Sequence, residues 1–258
     1  MTGFPTLADD LRLAVSSGLL TVAYQPLFDL STDPRDRGPV AVEALCRWDH
    51  AVHGAIGPDL FIPLAESENI VSDIDDVVLS AAAAQVSEWQ REGHDLSLSV
   101  NVSPTHVSPS FASVVVERAD ETGLRPGTLT VEVTETPSPQ LLPTVVEILP
   151  VLRSAGVGVS LDDFGGGDTT MAMLDQLPID EIKIDRSLTQ RRDAASEDAI
   201  AGVVAFAKRY GWRVVAEGIE TVEDFERARR LGCDRGQGFL LGAPMSADRL
   251  GRLLSAAG

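Results

Sequence analysis

Short apolar runs alternate with longer stretches of helical periodicity along the chain. Eight strands are predicted, from the runs TVAYQP, PVAVEALCRW, LSLSVNV, LTVEVTE, GVSLDD, EIKID, RVVAEG and CDRGQGF. Most of them precede a segment whose apolar residues have helical spacing, and one more helix is predicted before the first strand, at about Leu7 to Ser17. This alternation favours a mainly parallel sheet that is covered by helices.

The number of strands and the chain length together indicate a barrel. The chain has 258 residues, and roughly 250 residues is the usual size of an eight-stranded β/α barrel. No helix is predicted in the short connection DLSTDPRDRG, so the first two strands are expected to pair in antiparallel orientation. We therefore expect a single domain over residues 1–258, folded as a modified TIM-type (β/α)8 barrel with one antiparallel strand near the N-terminus. An open doubly wound sheet is the alternative that strand counting leaves open.

Several helix ends are predicted from capping residues. In the long helical segment SDIDDVVLSAAAAQVSEWQ, Ser72 with Asp75 matches an N-terminal cap. Gly211 and Gly232 each follow a helical segment, and they are predicted to end it in the left-handed conformation.

The charge of the chain limits the partners that it can bind, but it says little about the fold. The net charge is −18, from 21 Lys+Arg against 39 Asp+Glu. It disfavours non-specific binding to nucleic acid polymers and to anionic membranes, because both attract clustered basic residues. The N-terminus shows no signal-peptide pattern and no apolar run approaches membrane-spanning length, so we expect a cytoplasmic protein.

Cysteine and histidine give little sign of a metal site. Cys46 and Cys233 lack metal-type spacing and are expected to be reduced thiols. His50 and His53 in WDHAVHG resemble a ligand pair, but they are predicted to lie in a loop with no third histidine nearby. A catalytic metal is therefore not expected there.

Polar residues recur near the carboxyl ends of the predicted strands. In a β/α barrel these ends converge on one mouth, which is where such folds place their active sites. Several carboxylates grouped there require cations or protons to compensate their charge. The residues in question are Glu43, Asn101, Glu132, Glu135, Asp162, Asp163, Lys183, Glu217 and Gln237.

Charge counting favours two divalent cations in this mouth. Two such ions would balance the carboxylates of Glu43, Glu132, Asp162 and Asp163, with the amide oxygen of Asn101 as a neutral ligand. Oxygen ligands favour Mg²⁺ or Mn²⁺, and paired metals are a recurring device for hydrolysing phosphate esters. Lys183 could assist deprotonation of the attacking water or offset phosphate charge.

The stretch LDDFGGGDTT, residues 161–170, allows several interpretations when it is taken alone. It lacks both the Gly-Lys-Ser/Thr ending and the GxGxxG spacing of phosphate-binding loops. Adjacent aspartates before glycines more often mark a turn or a helix start than a metal site. The carboxylates at the other strand ends favour the metal interpretation.

The ordered motifs of the chain resemble those of the EAL-domain phosphodiesterases, which hydrolyse cyclic di-GMP. The naming triplet is Glu43-Ala44-Leu45, and the similarity extends in order over nearly the whole chain. The other matching motifs are YQP, FIPLAE, NVS, EVTE, DDFG, KID, AEGIE and QGF.

This resemblance implies roles for individual residues and for partners. The implied metal ligands, for two Mg²⁺ or Mn²⁺ ions, are Glu43, Asn101, Glu132, Asp162, Asp163 and Glu217. Lys183, Glu217 and Glu135 match catalytic positions, while Gln25, Arg47, Asp185 and Gln237 match positions near the substrate or the attacking water. The implied reaction converts cyclic di-GMP to linear pGpG, and homodimers are common in the family.

One loop departs from the family pattern DFGTGYSSL. Gly166 replaces a threonine and Asp168 replaces an aromatic residue, in a loop that Glu135 would steady. We therefore expect an intact metal site with a looser or differently regulated loop. The alternatives are a module that binds cyclic di-GMP or a protein without turnover, and a barrel phosphodiesterase for another substrate.

Overall fold

Eight strands of the chain close into a barrel that is covered by helices. The structure is a computed structural model, and it describes residues 6–33, 37–134, 142–166, 171–175 and 177–257. The described strands are β1 (Leu20–Asp29), β2 (Ala41–His50), β3 (Gly54–Ile56), β4 (Ser97–Val102), β5 (Leu129–Thr134), β6 (Gly158–Phe164), β7 (Glu181–Ile184), β8 (Arg213–Ala216) and β9 (Arg235–Gly236).

Helices follow most strands, as a β/α alternation requires. The described helices are α1 (Leu7–Ser16), α2 (Pro58–Ser67), α3 (Val71–Arg91), α4 (Pro109–Thr122), α5 (Leu142–Ser154), α6 (Met171–Leu174), α7 (Arg186–Thr189), α8 (Ala194–Tyr210), α9 (Val222–Leu231) and α10 (Ala247–Ala257). Among the helices in these ranges, none is long and apolar enough to cross a membrane.

The strand order of the ring is β1-β2-β4-β5-β6-β7-β8-β9, and β9 pairs with β1 to close it. Strand β1 is antiparallel to both of its neighbours, while the other ring pairings are parallel. The predicted modified TIM-type barrel with one antiparallel strand is thus confirmed, and the open sheet is excluded. A single domain over residues 1–258 stays a prediction.

Strand β3 is an element that the sequence patterns did not predict. It pairs with β2 outside the ring, with His50 opposite Gly54. His50 therefore ends β2, which differs from the predicted loop, while His53 lies in the turn that joins β2 to β3. Three residues are too few for a periodicity to be recognised, which explains the omission.

Local capping explains where several of the described helices begin or end. Thr6 and Thr221 each form a capping box with the aspartate three residues later, Asp9 or Asp224, at the start of α1 and α9. Gly211 and Gly232 end α8 and α9 in the left-handed conformation, which confirms both predictions.

The predicted N-terminal cap of α3 is wrong. This helix begins at Val71 after Ile70, so Ser72 lies inside the helix and makes no capping bond. The side chain of Asp75 is buried and accepts hydrogen bonds from residues that follow β4. A long-range contact has thus replaced the local one that the spacing predicted.

Candidate active site

A buried lysine lies at the centre of the barrel mouth. Lys183 on β7 is fully buried, and it is surrounded by carboxylates from β2, β5, β6 and the end of β8. We call these four acidic residues the carboxylate cluster. The Lys183 Nζ atom lies 2.8 Å from Glu217, 2.9 Å from Glu132, 3.0 Å from Asp162 and 3.2 Å from Glu43.

Three amide side chains complete this arrangement around Glu43. Asn101 Nδ2 donates to Glu43 Oε1 at 2.6 Å, and Gln237 Nε2 donates to Glu43 Oε2 at 2.7 Å. Gln237 Nε2 also donates to Gln25 Oε1 at 2.9 Å. Gln25 reaches this level because the antiparallel register of β1 and β2 places it opposite Glu43.

Asp162 and Asp163 both reach the mouth because the end of β6 is irregular. Neighbouring side chains of a regular strand point to opposite faces, but the pairing of β6 with β7 changes register between Leu161 and Phe164. Asp163 has a φ of 61°, in the left-handed region that residues other than glycine rarely adopt. Its backbone N–H donates to Asp162 Oδ1 at 3.0 Å.

Burial raises the pKa of most of these carboxyl groups. It raises the pKa of Glu132 well above the usual range, that of Glu217 to about 8 and that of Asp163 to about 6. Burial also acts to raise the pKa of Glu43, but the Lys183 ammonium and the hydrogen bonds from Gln237 and Asn101 lower it overall. One lysine therefore does not neutralise the cluster, and further positive charge would stabilise the ionised carboxylates.

The residues present fit a pair of divalent cations. Two groups of carboxylates have oxygen atoms within 4.8 Å of one another, namely Glu43 with Glu132 and Asp162, and Asp162 with Asp163 and Glu217. Asp162 belongs to both groups. Glu132 Oε1 is buried and has no hydrogen-bond partner among the described residues, so it is an oxygen that a cation could satisfy. Oxygen donors of this kind suit hard cations such as Mg²⁺ and Mn²⁺.

Two adjoining cavities open beside the carboxylate cluster. The first, of about 490 Å³, is lined by Glu43, Arg47 and Asn101 together with apolar residues of α2 and α3. The second, of about 410 Å³, is lined by Gln25, Asp185, Glu217, Gln237 and the exposed Phe239. Asp59 and Asp163 line both cavities, so the two form one cleft across the mouth.

The structure brings together most of the residues that the sequence singled out. Around Lys183 lie Glu43, Asn101, Glu132, Asp162, Glu217 and Gln237 with Gln25, while Arg47, Asp163 and Asp185 line the cleft. Glu135 and Asp168 lie outside the described residues, so their predicted roles stay predictions.

The position of Glu43 along its strand differs from the one expected. It is the third residue of β2, not a residue near the carboxyl end of that strand. Strand β2 extends beyond its pairing with β4 because β1 and β3 pair with its later residues. Glu43 nevertheless lies at the level of the mouth.

The histidine pair has a structural role in the described part of the chain. His50 Nε2 lies 3.1 Å from Asp10 Oδ2, and His50 Nδ1 accepts hydrogen bonds from the backbone of Val52 and His53, both at 3.1 Å. Both ring nitrogens of His50 are therefore engaged in holding the hairpin.

Sequence patterns missed a second polar group, which lies along the first cavity. Asp75, Ser103, His106 and Glu66 are linked by hydrogen bonds between α2, α3 and the turn after β4. His106 alone carries no recognisable pattern, and Asp75 was assigned to a helix cap. The aspartate among the buried positions of α3 was the available signal.

Barrel and mouth together define a class of proteins, the modified (β/α)8 barrels with an acidic, metal-type site at the carboxyl ends of their strands. Within that class the chain belongs to the EAL domain family, whose model matches residues 8–244.

Individual relatives are identical to the chain at about a third of the aligned residues. It is 38% identical over 248 residues to the bifunctional diguanylate cyclase/cyclic di-GMP phosphodiesterase MucR of Pseudomonas aeruginosa, which covers 95% of the chain and 36% of MucR. It is 33% identical over 254 residues to the cyclic di-GMP phosphodiesterase NbdA of the same species, covering 97% of the chain and 32% of NbdA. The chain thus spans only about a third of the length of these relatives.

A solved structure has the same fold. The PaMucR phosphodiesterase in complex with c-di-GMP superimposes with a TM-score of 0.84 at 36% sequence identity, covering 93% of the chain and 98% of that structure. The likeness extends over the whole barrel, so the fold is that of an EAL domain.

Proposed function

We propose that this chain is an Mg²⁺- or Mn²⁺-dependent phosphodiesterase that hydrolyses cyclic di-GMP to linear pGpG. The observation that carries the proposal is the convergence of the carboxylate cluster, Asp163, Asn101 and Lys183 on one cleft. Membership of the EAL domain family and the names of the relatives support it. The c-di-GMP in the complex of the similar PaMucR phosphodiesterase supports the choice of substrate.

Each residue of the mouth would have a defined part in this reaction. Glu43, Asn101, Glu132, Asp162, Asp163 and Glu217 would hold the two ions. When bound, such ions lower the pKa of a water molecule and stabilise charge on the phosphate. Lys183 connects carboxylates from four strands or strand ends, so it would hold the donor atoms in place. Gln25, Arg47, Asp185 and Gln237 would contact the substrate or the attacking water from the cleft walls.

The proposed reaction adds one water molecule to one phosphodiester. Linear pGpG keeps its terminal phosphate on the 5′ oxygen, so the bond between phosphorus and the 3′ oxygen breaks. The water oxygen forms the new bond to phosphorus, and a proton reaches the departing 3′ oxygen.

Product chromatography after incubation with cyclic di-GMP tests the proposal. Purified chain with Mg²⁺ or Mn²⁺ is expected to give pGpG, and Glu43→Ala is expected to give none. Intact cyclic di-GMP, under conditions in which the MucR phosphodiesterase consumes it, would contradict the proposal. Calorimetric binding of cyclic di-GMP without hydrolysis would instead favour the binding module. Competition with other cyclic dinucleotides tests the choice of substrate.

A homodimer and a cytoplasmic location belong to the same proposal. The dimer is predicted from the family resemblance, and the location from the absence of a signal-peptide pattern and of a membrane-length apolar run in the sequence. Sedimentation velocity of the purified chain tests the dimer, and fractionation of the source cells tests the location.

The proposal also includes a loop that is looser or differently regulated than in the family pattern. Replacing Gly166 by threonine and Asp168 by an aromatic residue, as in the family pattern, is expected to raise turnover. A Cβ at Gly166 would lie 3.3 Å from the Asp163 carbonyl oxygen and 3.4 Å from Asp185 Oδ1, so only slight adjustment is needed. Unchanged turnover and metal dependence would show that the departure is neutral.

A further inference from the structure

The turn that follows β4 is anchored to a buried aspartate on α3. Ser103 comes two residues after Asn101, and its backbone N–H donates to Asp75 Oδ2 at 3.2 Å. Asp75 is only 9% exposed. A buried carboxylate without partners would be costly, so Asp75 depends on the groups it contacts.

Two further residues make this anchor specific. His106 Nδ1 lies 3.0 Å from the same Asp75 oxygen, and Ser103 Oγ donates to Glu66 Oε1 at 2.6 Å. Thr105 N–H donates to Ser103 Oγ at 3.3 Å. The turn is therefore tied to α2 and α3, and Glu66, Asp75 and Ser103 line the first cavity together with Glu43 and Asn101.

The anchored turn follows directly after the strand residue Asn101, whose amide belongs to the mouth. Asn101 donates through Nδ2 to Glu43, so its Oδ1 is the atom left to face a cation. Its side chain is short, so a small shift of the backbone between Asn101 and Ser103 moves that oxygen by a similar amount. Groups behind metal ligands orient the ligands and tune metal affinity.

We infer that Asp75 is a positioning residue for the metal site, acting through Ser103 on Asn101. This inference rests on the proposed function, because it assigns Asn101 to a metal ion. Asp75 itself does not touch the carboxylate cluster. Its effect is expected in metal affinity, independently of substrate turnover.

Mn²⁺ binding to the purified chain without nucleotide tests the inference. Titrations followed by electron paramagnetic resonance measure free Mn²⁺, and thermal unfolding of each variant in chelator reports its stability. Asp75→Leu removes the acceptor and is expected to weaken Mn²⁺ binding by about 10-fold to 100-fold. Asp75→Asn keeps an acceptor oxygen for Ser103 and should restore affinity to within about threefold of wild type.

The matched control is Asp73→Asn, two residues earlier on α3. Asp73 is exposed, so this variant makes the same charge change without touching the turn, and its Mn²⁺ affinity should equal that of wild type. If Asp75→Leu does not fold, Asp75→Ser takes its place. Its hydroxyl is too short to reach Ser103, and the same loss of affinity is expected.

A double-mutant cycle separates positioning from a general loss of structure. Asn101→Ala and Asn101→Ala with Asp75→Leu should bind Mn²⁺ equally, because the second change has no ligand left to misplace. Provided that the wild type binds Mn²⁺, either of two results would overturn the inference. One is that the two substitutions weaken Mn²⁺ binding additively, and the other is that Asp75→Leu binds Mn²⁺ as tightly as the wild type does. A wild type that binds no Mn²⁺ would overturn the proposed function, and the inference with it.

Discussion

Asp163 holds a backbone conformation that few residue types tolerate. Its φ of 61° lies in the left-handed region, which disfavours most residues by about 1–2 kcal/mol but is milder for asparagine. We expect Asp163→Ala to unfold at lower urea concentration than Asp163→Asn, by about 1 kcal/mol in free energy.

Both Asp163 variants lack the carboxylate, so the difference between their unfolding free energies reports the cost of the left-handed backbone conformation. The measurement is made with chelator, so that metal affinity does not contribute. Equal stability of the two variants would show that the strand end relaxes when the side chain changes.

The carboxylates around Lys183 determine how much this residue contributes to stability. It is buried among four carboxylates, and removing one side of a buried charge group costs about 3–5 kcal/mol. Lys183→Met is expected to lose that much stability in chelator and most of its activity. Mn²⁺ should raise the unfolding temperature of this variant more than that of wild type, because the ions supply the missing positive charge.

Lys208→Met provides the control for Lys183, since Lys208 is exposed on α8. Its stability and its response to Mn²⁺ should match those of wild type. A Lys183→Met protein that is as stable as wild type in chelator would mean that the carboxylates take up protons in place of the lysine.

Between elements, the ends of β8 and β9 approach so closely that only glycine fits. A Cβ on Gly238 would lie 2.3 Å from backbone atoms of Ile219. Gly238→Ala is therefore expected to destabilise the fold by about 3 kcal/mol and to displace Gln237. Urea denaturation measures the first effect and product chromatography the second.

At Gly202 in α8, in contrast to Gly238, an added methyl group is expected to stabilise the fold. No atom lies within 4 Å of its added Cβ, and it is an exposed helical position. Gly202→Ala should stabilise the fold by about 1 kcal/mol without changing activity. A neutral effect of Gly238→Ala in the same assay would show that the two strand ends can separate.

The contact between α3 and the turn after β4 is expected to depend on pH. Burial lowers the pKa of His106, but its hydrogen bond to Asp75 and the nearby acidic groups raise that pKa overall. A raised histidine pKa adds stability that is complete below the unfolded value of about 6.5 and lost as the pH rises through the folded value. His106→Gln should therefore lose more unfolding free energy at about pH 6 than at about pH 9. An equal loss at both pH values would show that His106 is not charged in the fold.

Sequence patterns predict elements well when the signal is local. The alternation of strands and helices, the antiparallel β1 and the glycine ends of α8 and α9 followed from spacing and residue type. The cap at Ser72 and the role of His106 did not, because Asp75 contacts residues more than a helix length away in the chain. The bulge that brings Asp163 beside Asp162 was equally hidden, since it depends on the pairing with β7.

For the whole molecule, the negative net charge is expected to oppose the approach of the proposed substrate. The chain carries a net charge of −18, and cyclic di-GMP carries two phosphodiester charges. Salt screens such repulsion over about 10 Å at 0.1 M. We expect kcat/KM to rise between about 20 and 200 mM NaCl at saturating Mg²⁺, with little change in kcat. A fall in kcat/KM would show that the bound ions and Arg47 make the cleft attractive to anions.

The closure of the barrel has a consequence for how the chain reaches its fold. Strand β9 meets β1 through two residue pairs, Phe28 with Gly236 and Asp29 with Arg235, and Leu30 N–H donates to the Asp234 carbonyl oxygen beside them. These partners are roughly 200 residues apart in the sequence, and contacts of such separation form slowly because a long loop must close. During synthesis, this edge of β1 therefore cannot pair with β9 until the chain has been made through Gly236. Gln25 and Gln237, which lie on either side of that junction, can meet only after it has closed, so the substrate side of the mouth is completed late in folding.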